Sequence, residues 1–247
     1  MKVCLFSSPE EKYSDHINLC LENFKSLFAV FEPIVQRALG YNDISNAFRK
    51  MITYHDLGKL TERWQDIVNK EIKENKNLHK PSHSSLGAAY LWRVLPDDLK
   101  EPISFAVAIH HTDRGLLGDN IEKPDVQAIT DNIADFSGRI KWFDKDKRES
   151  LAEGFFPNEL RDLYINDLKE MARGLRKWAK GCSLPDQHKR RLQASLCLHL
   201  LKLCDISAAS NRRKWEDESI DEGELYGGWL MVKDIKDYVS QINERMK

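Results

Sequence analysis

The chain has 247 residues, and its 38 basic and 39 acidic side chains give a formal net charge of −1. A chain of this length buries roughly 70–75% of its unfolded surface and folds without disulfides, and a hydrophobic content of 41% excludes collagen-like, low-complexity and wholly disordered classes. The near-neutral charge, taken alone, argues against a strongly basic nucleic-acid-binding protein.

The first residues, Met1 to Ser8, contain one basic residue and an apolar run that is too short for a secretory signal. No stretch approaches the roughly 18 apolar residues of a membrane span, so we expect a cytoplasmic protein with no membrane contact. The cysteines include no CxxC pair and are expected to be reduced packing residues. They are Cys4, Cys20, Cys182, Cys197 and Cys204.

Apolar residues recur at helical intervals along nearly the whole chain, and no alternating strand pattern of useful length is present, which predicts an all-α fold. The first helix is expected to begin at Ser14 and to end before Pro33. The second helix is predicted to begin near Asp43, the third to contain Trp64 to Ile72, the fourth to follow Ser82 up to Val94, and the fifth to begin at Pro102. The last four helices are predicted to cover Val126 to Phe136, Leu160 to Trp178, Lys189 to Ala209 and Val232 to Met246. Without a repeat or a linker, we expect a single domain over residues 1–247.

Histidines and aspartates occupy positions where this periodicity places the protein interior. The apolar face of the second helix continues from Met51 and Ile52 to His55, and Asp56 follows it. The fifth helix likewise leads to His110, with His111 beside it. The remaining members are His16 at the start of the first helix, His83 at the start of the fourth, and Asp205 within the most apolar helix.

Buried carboxylates point to bound cations. An ionised aspartate in an apolar interior is costly unless it is paired or bound to a metal, so Asp56 and Asp205 each need a partner. Asp56 has two oxygens and can bridge two ions, and a pair of ions about 3.5–4 Å apart stabilises both the attacking and the leaving oxygen of a phosphoryl transfer. A single histidine on an apolar face is more often a hydrogen-bonded core residue, but the whole set fits ligands on successive helices of a bundle.

The ordered set resembles the HD-domain metal-dependent phosphohydrolase superfamily, and within it the free-standing HD nuclease of type I CRISPR interference. The segment His55-Asp56-Leu57-Gly58-Lys59 with Trp64-Gln65 resembles the family's HD-x-GK and aromatic-Gln motifs. The pairs His83-Ser84 with Gly87-Ala88, and His110-His111, resemble its next two motifs, and His16 and Asp205 match in order and approximate spacing. The resemblance spans residues 16 to 210. It implies a compact multi-helix HD bundle with a metal-site core at about 14–210 and a C-terminal helical extension at about 211–247.

The resemblance implies two divalent ions, catalytic roles for Asp56 and Lys59, and a division of the ligands. One ion would be held by His16, His55, Asp56 and Asp205, and the other by Asp56, His83, His110 and His111. Lys59 would neutralise a substrate phosphate, although a lysine at the end of a helix also commonly faces solvent. The mixed nitrogen and oxygen ligands suit Mn²⁺, Fe²⁺, Co²⁺ or Ni²⁺ at least as well as Mg²⁺.

The activity implied by the resemblance is hydrolysis of single-stranded DNA, with RNA as a second substrate class, in CRISPR-type antiviral defence. The sequence contains no G-x-x-x-x-G-K-[ST] loop, so the implied helicase would be a separate chain, acting with a guide-RNA surveillance complex. Two alternatives remain open. The same metals serve phosphohydrolases of small nucleotides, and a helical bundle can also be a non-catalytic interaction module.

Basic clusters outside the motifs supply the ingredients of single-strand binding, which are phosphate attraction and base stacking. One cluster, with Trp178 adjacent, is Arg173, Arg176, Lys177 and Lys180; a second is Lys189, Arg190 and Arg191; a third, with Trp215, is Arg212, Arg213 and Lys214. Each of them can equally be an ordinary solvated helix face. Divalent ions would also add local positive charge that the net charge omits.

Overall fold

The computed structural model describes residues 5–111, 123–143 and 162–213, without the side chains of residues 210–213. In these ranges an antiparallel hairpin precedes the helices, with strands β1 (Phe6–Ser8) and β2 (Glu11–Lys12). The helices are α1 (Tyr13–Leu39), α2 (Ser45–Tyr54), a 3₁₀ turn (Leu57–Leu60), α3 (Glu62–Glu74), α4 (Ser84–Val94), α5 (Asp97–Ala108), α6 (Pro124–Thr130), α7 (Ile165–Lys180) and α8 (Leu184–Arg213). The predicted all-α class is confirmed, and the hairpin is a small addition to it.

The two longest helices form the centre of the bundle. Helix α8 packs along α1 and α5, and α4 packs against α5. Their buried faces share one hydrophobic core, in which Ile17, Leu27, Leu86, Ile103 and Leu200 are fully enclosed. The side chains that follow these faces, or interrupt them, therefore project toward the middle of the protein.

Two prolines that the sequence analysis placed at helix boundaries lie inside helices. Helix α1 continues past Pro33 to Leu39 because Val35 and Leu39 extend its buried face, and it ends at Gly40, whose φ of 71° is left-handed. Helix α5 begins at Asp97 rather than at Pro102, because acidic residues occupy its first turn and Leu99 is buried.

The predicted sixth helix is wrong in extent. Helix α6 ends at Thr130, and Asn132, at a φ of 56°, turns the chain away from the helical path. Val126, Ile129 and Phe136, which were expected to form an apolar face, are exposed. Helix α7 begins about five residues after its predicted start, and α8 begins about five residues before its predicted start. Three features lie outside the described residues, namely Cys4, the predicted helix over Val232 to Met246, and the C-terminal extension beyond Arg213.

One segment of the described part, Leu184–Ala209, is long and apolar enough to cross a membrane by length and composition alone. Of its most apolar window, 44% is buried inside the bundle of helices, and the core helix of a soluble protein can meet the same criteria of length and composition. The segment is therefore weak evidence for a membrane span.

Candidate metal centre

Asp56 lies between α2 and the 3₁₀ turn, is fully buried, and has a different set of neighbours at each of its oxygens. Its Oδ2 lies 3.3 Å from His16 Nε2 and 3.5 Å from His55 Nε2. Its Oδ1 lies 3.1 Å from His83 Nε2 and 3.5 Å from His110 Nε2. A single carboxylate thus faces two groups of imidazoles, as expected of a carboxylate that bridges two ions.

The first group consists of residues from α1, from α8 and from the end of α2. The Oδ1 atom of Asp205 lies 3.2 Å from His16 Nε2 and 3.9 Å from His55 Nε2. The Cys20 thiol, one turn after His16 on α1, lies 3.7 Å from the same Nε2 atom. One potential ligand atom from each of His16, Cys20, His55 and Asp205 falls within 4.8 Å of the others, which is a spacing that can hold a metal ion.

The second group joins the start of α4 to the end of α5. His83 Nε2 lies 2.7 Å from His111 Nε2, which in turn is 3.9 Å from Asp56 Oδ1. Asp56, His83, His110 and His111 place one ligand atom each within 4.8 Å of one another. The His111 side chain is 42% exposed, so this group reaches the protein surface, whereas the first group is more enclosed.

Backbone carbonyls orient two of the imidazoles. His55 Nδ1 donates to the carbonyl of Ile52 at 2.8 Å, and His110 Nδ1 donates to that of Val107 at 2.6 Å. In each ring the Nδ1 proton is therefore directed to the backbone, and Nε2 is the nitrogen that faces Asp56, as in metal-binding histidines. Both Nε2 atoms are buried and make no hydrogen bond with any residue that the structure describes.

Two glycines allow the close approach that assembles the centre. A Cβ atom at Gly58 would lie under 3.0 Å from the backbone of His83, and one at Gly87 would lie under 3.0 Å from the carbonyl oxygens of Tyr54 and His55. The end of α2 therefore packs directly against the start of α4, without side chains between them. This contact brings Asp56 and His83 together.

Lys59 does not face solvent. Its Nζ lies 2.6 Å from Asp56 Oδ2 and 5.6 Å from the centre of the Trp64 ring. The buried Gln65 fixes the lysine backbone, because its Nε2 donates to the carbonyls of Lys59 and Phe6 at 2.7 and 2.9 Å. The aromatic-Gln pair thus holds the 3₁₀ turn and ties it to β1.

The electrostatics favour ionised carboxylates and, in the second group, neutral imidazoles. Burial acts to raise the pKa of Asp56 and Asp205. Lys59 and His55 beside Asp56, and His16 and His55 beside Asp205, outweigh it and hold both pKa values well below the ordinary range. Burial and the neighbouring His111 lower the pKa of His83, and they lower that of His110 to about 4. These are the protonation states that bind metals.

His16 behaves differently. Burial acts to lower its pKa, but hydrogen bonds to Asp205 and Asp56 raise it well above the ordinary value. Together with Glu11, three carboxylates surround this histidine, and Lys59 is the nearest lysine to balance them. The residues thus present an excess of negative charge, and their nitrogen and oxygen atoms fit divalent cations.

Two further residues lie beside the first ligand group and were not predicted from the sequence to be near it. Glu11 Oε2 lies 3.2 Å from His16 Nδ1, and Cys20 was interpreted as a packing residue only. The i+4 spacing from His16 was a usable signal for Cys20. Glu11 comes from a strand of two residues, which is too short to show a periodicity.

None of the predicted nucleic-acid-binding residues whose side chains the structure describes belongs to either ligand group. Arg173, Arg176 and Lys177 are exposed on α7, as the basic stripe predicts. Arg212 and Arg213 fall in the last residues of α8, whose side chains are outside the described part, and Lys214 lies outside the described residues. Their contacts with nucleic acid remain predictions.

Comparison with known proteins gives two similarities. The putative CRISPR-associated nuclease/helicase Cas3 of Methanocaldococcus jannaschii is 26% identical over 217 residues, which cover 74% of this chain and 28% of that protein. The CRISPR-associated Cas3 HD domain protein of the same organism has a solved structure that superposes with a TM-score of 0.53 at 17% identity, over 81% of this chain and 99% of that one. No family model matches the chain.

The solved structure establishes the fold, which is that of the HD domain. The expected resemblance to the HD-domain superfamily, and within it to the HD nuclease of CRISPR interference, is confirmed by these two proteins. The chain spans only 28% of the curated relative, so that similarity is to one part of a longer protein.

Proposed function

We propose that this chain is a metal-dependent nuclease that hydrolyses phosphodiester bonds of single-stranded DNA, with RNA as a second substrate class, in CRISPR-type defence. The observation that carries the proposal is the position of Asp56, whose Oδ2 faces His16 and His55 while its Oδ1 faces His83 and His110. The names of the two similar proteins, a nuclease/helicase and an HD domain protein, support the same class.

The two groups would each hold one divalent ion. His16, His55 and Asp205 fit the first ion, the imidazoles of His83, His110 and His111 fit the second, and Asp56 would bridge them. Such ions lower the pKa of a bound water and neutralise charge on a phosphate. Mn²⁺, Fe²⁺, Co²⁺, Ni²⁺ and Mg²⁺ remain the candidate ions, with the imidazole-rich second group favouring the transition metals.

The chain's own residues would position these groups and the substrate. The carbonyls of Ile52 and Val107 fix the ring orientations of His55 and His110, so little reorganisation is needed on binding. Lys59 would offset part of the negative charge of Asp56 and of an incoming phosphate. The exposed His111 lies at the edge where a phosphodiester would approach.

The alternative substrate class, small nucleotides, is favoured by one observation. A cavity of about 380 Å³ adjoins the second group and is lined by Trp64, Lys80 and Gln127 together with His83 and His111. This volume lies within the range of small-molecule sites. A nucleotide base bound there would place its phosphate near His111.

One experiment separates the substrate classes. The full chain is loaded with Mn²⁺ and incubated with single-stranded DNA, duplex DNA, RNA, a panel of nucleoside triphosphates and bis(4-nitrophenyl) phosphate. We expect the wild type to cleave single-stranded DNA and Asp56→Asn to abolish this cleavage. Asp66→Asn, a matched change at an exposed position of α3, should leave the cleavage intact. Hydrolysis of nucleotides without cleavage of strands would favour the alternative, and no hydrolysis at all would favour the non-catalytic module.

We also propose that the protein works in the cytoplasm with a separate helicase and a guide-RNA surveillance complex. The support is the name of the relative, which combines a nuclease with a helicase. Affinity purification from cells that express the tagged full chain tests it. Recovery of an ATP-dependent helicase and a guide-RNA complex is expected, and their absence contradicts the partner assignment.

A further inference from the structure

A pocket with a basic border lies between the end of α7 and the start of α8, away from the metal centre. It has a volume of about 280 Å³, and its apolar lining includes Phe105, Trp178 and Ala194. Four cationic side chains also line it, namely Arg176, Lys180, Arg190 and Arg191. Two basic clusters that are separate in the sequence thus meet at one pocket.

We propose that this pocket binds a part of the single-stranded nucleic acid substrate that lies several nucleotides from the scissile bond. A base would pack against the apolar lining, and the flanking phosphates would contact the cations. The inference rests on the proposed nuclease function and assigns to it a second contact with the substrate.

The apolar lining suits a nucleobase. The rings of Phe105 and Trp178 lie 5.9 Å apart between centroids, and Ala179 and Ala194 complete the lining without polar side-chain atoms. Trp178 is partly exposed, although Phe105 beneath it is buried. Stacking on aromatic side chains is how proteins bind single strands with little dependence on sequence.

One of the four cations is held in place by an ion pair, and the other three are exposed. Arg190 Nε and Nη2 donate to the two carboxylate oxygens of Asp186 at 3.1 and 2.9 Å, and Arg190 Nη1 donates to the carbonyl of Trp178. The guanidinium carbon then lies 5.9 Å from the Trp178 ring, and a planar guanidinium held in this way can also stack on a base. Lys180 and Arg191 are exposed and form no ion pair within the part of the chain that the structure describes.

Helix α8 relates the pocket to the metal centre. Ala194 lines the pocket and Asp205 belongs to the first ligand group, so the two sites share a helix. Eleven residues separate them, which corresponds to about 17 Å along the helix axis.

This distance favours a strand over other occupants. At the 3.4 Å spacing of one duplex strand, 17 Å corresponds to about five nucleotides, and to fewer when the strand is extended. A strand of ordinary length bound at the metal centre is therefore long enough to contact the pocket, whereas a dinucleotide is not. An acidic peptide with an aromatic residue would match the same lining and cations, but binding at the metal centre would not bring it to this helix.

The test compares two charge reversals. Arg176→Glu with Arg191→Glu changes two residues that line the pocket, and Lys25→Glu with Lys73→Glu changes two exposed lysines of α1 and α3 that belong to no basic cluster and do not line it. Binding of a twelve-nucleotide single strand is measured by fluorescence anisotropy at several salt concentrations, in the full-length Asp56→Asn protein to prevent cleavage. We expect the first pair to raise the Kd about tenfold and to reduce the salt slope by about 1.4, the value for two lost phosphate contacts, and the control pair to change both much less.

Substitution of the tryptophan tests the apolar lining separately. Trp178→Leu is expected to weaken binding severalfold and Trp178→Phe to retain it, because a phenyl ring still stacks. Equal effects of the two charge reversals on the long strand, or no effect of either, would overturn the proposal.

Two further measurements separate this proposal from the proposed function and from a protein partner. The wild-type protein should hydrolyse bis(4-nitrophenyl) phosphate, and because this compound is too small to reach the pocket, its hydrolysis tests the metal centre alone. If the wild type hydrolyses neither this compound nor DNA, the proposed function fails, whatever the pocket binds. If a peptide of glutamates around one tryptophan binds the pocket while the charge reversal leaves strand affinity unchanged, the pocket is a protein-docking site and the inference is wrong.

Discussion

The ammonium group of Lys59 lies 2.6 Å from Asp56 Oδ2, the same oxygen that faces His16 and His55. Only 9% of the Lys59 surface is exposed. Burial acts to lower the pKa of this lysine, but the Asp56 carboxylate raises it above the ordinary value. The lysine is therefore a permanent positive charge within the candidate metal centre.

Replacement of Lys59 by methionine should slow turnover without loss of metal. The ammonium is not a ligand, and its removal leaves the carboxylates more negative, so Mn²⁺ should bind at least as tightly. We expect kcat on single-stranded DNA to fall about a hundredfold, the size of effect seen when one charge-stabilising donor is removed. Calorimetric titration of Mn²⁺ and single-turnover cleavage measure the two quantities, with Lys70→Met, at an exposed position, as the control. Weaker Mn²⁺ binding would show that Lys59 supports the ligands instead.

Glu11 should strengthen the first metal site through His16. Its Oε2 lies 3.2 Å from His16 Nδ1 and accepts a 2.6 Å hydrogen bond from Ser7. Carboxylates that bind the far nitrogen of a metal-binding histidine typically change metal affinity about 10–100-fold. Glu11→Gln should therefore weaken one of two Mn²⁺ sites by that factor, and Glu10→Gln, one residue away and exposed, should weaken neither. Equal Mn²⁺ affinities in the two variants would contradict this role.

The features that sequence could predict were those that follow a helical face. His55 and His110 continue apolar faces by one position, and the structure places both in the interior near Asp56. Helix ends were harder, since the buried side chains Val35 and Leu39 carry α1 past Pro33, and their partners are distant in sequence. Glu11 could not be found, because its role depends on a hairpin that folds back onto α1. The pocket beside Trp178 likewise arises only when α7 and α8 meet.

Cys20 should act as a packing residue, even though its thiol lies 3.7 Å from His16 Nε2. It is fully buried in the core, as is Cys197, which is remote from both ligand groups. Cys20→Ala and Cys197→Ala should each destabilise the protein by about 1 kcal/mol through loss of buried volume, and neither should change the Kd for Mn²⁺. Urea unfolding and calorimetry measure these effects. A thiolate-to-metal charge-transfer band in the Co²⁺-loaded wild type that Cys20→Ala removes would identify Cys20 as a ligand.

Gly87→Ala should destabilise the protein although it lies inside a helix. In an uncrowded helix interior, this change would stabilise the protein by about 1 kcal/mol. In α4, however, the new Cβ would lie under 3.0 Å from the carbonyl oxygens of Tyr54 and His55. We therefore expect a loss of about 1–3 kcal/mol in urea unfolding without metal, as for overpacked cores. Mn²⁺ affinity should also fall, because the backbone that must shift to relieve this contact is that of His55, a candidate metal ligand.

Gly40→Ala is the matched control for this effect. Gly40 has a φ of 71°, but a Cβ there would have no atom within 4 Å. Its replacement should therefore cost about 1–2 kcal/mol through backbone strain alone and leave the Kd for Mn²⁺ unchanged. Only crowding between α2 and α4 predicts that stability and metal affinity fall together at Gly87. If Gly87→Ala raises stability, or lowers it without affecting metal binding, the packing of α2 against α4 does not position the ligands.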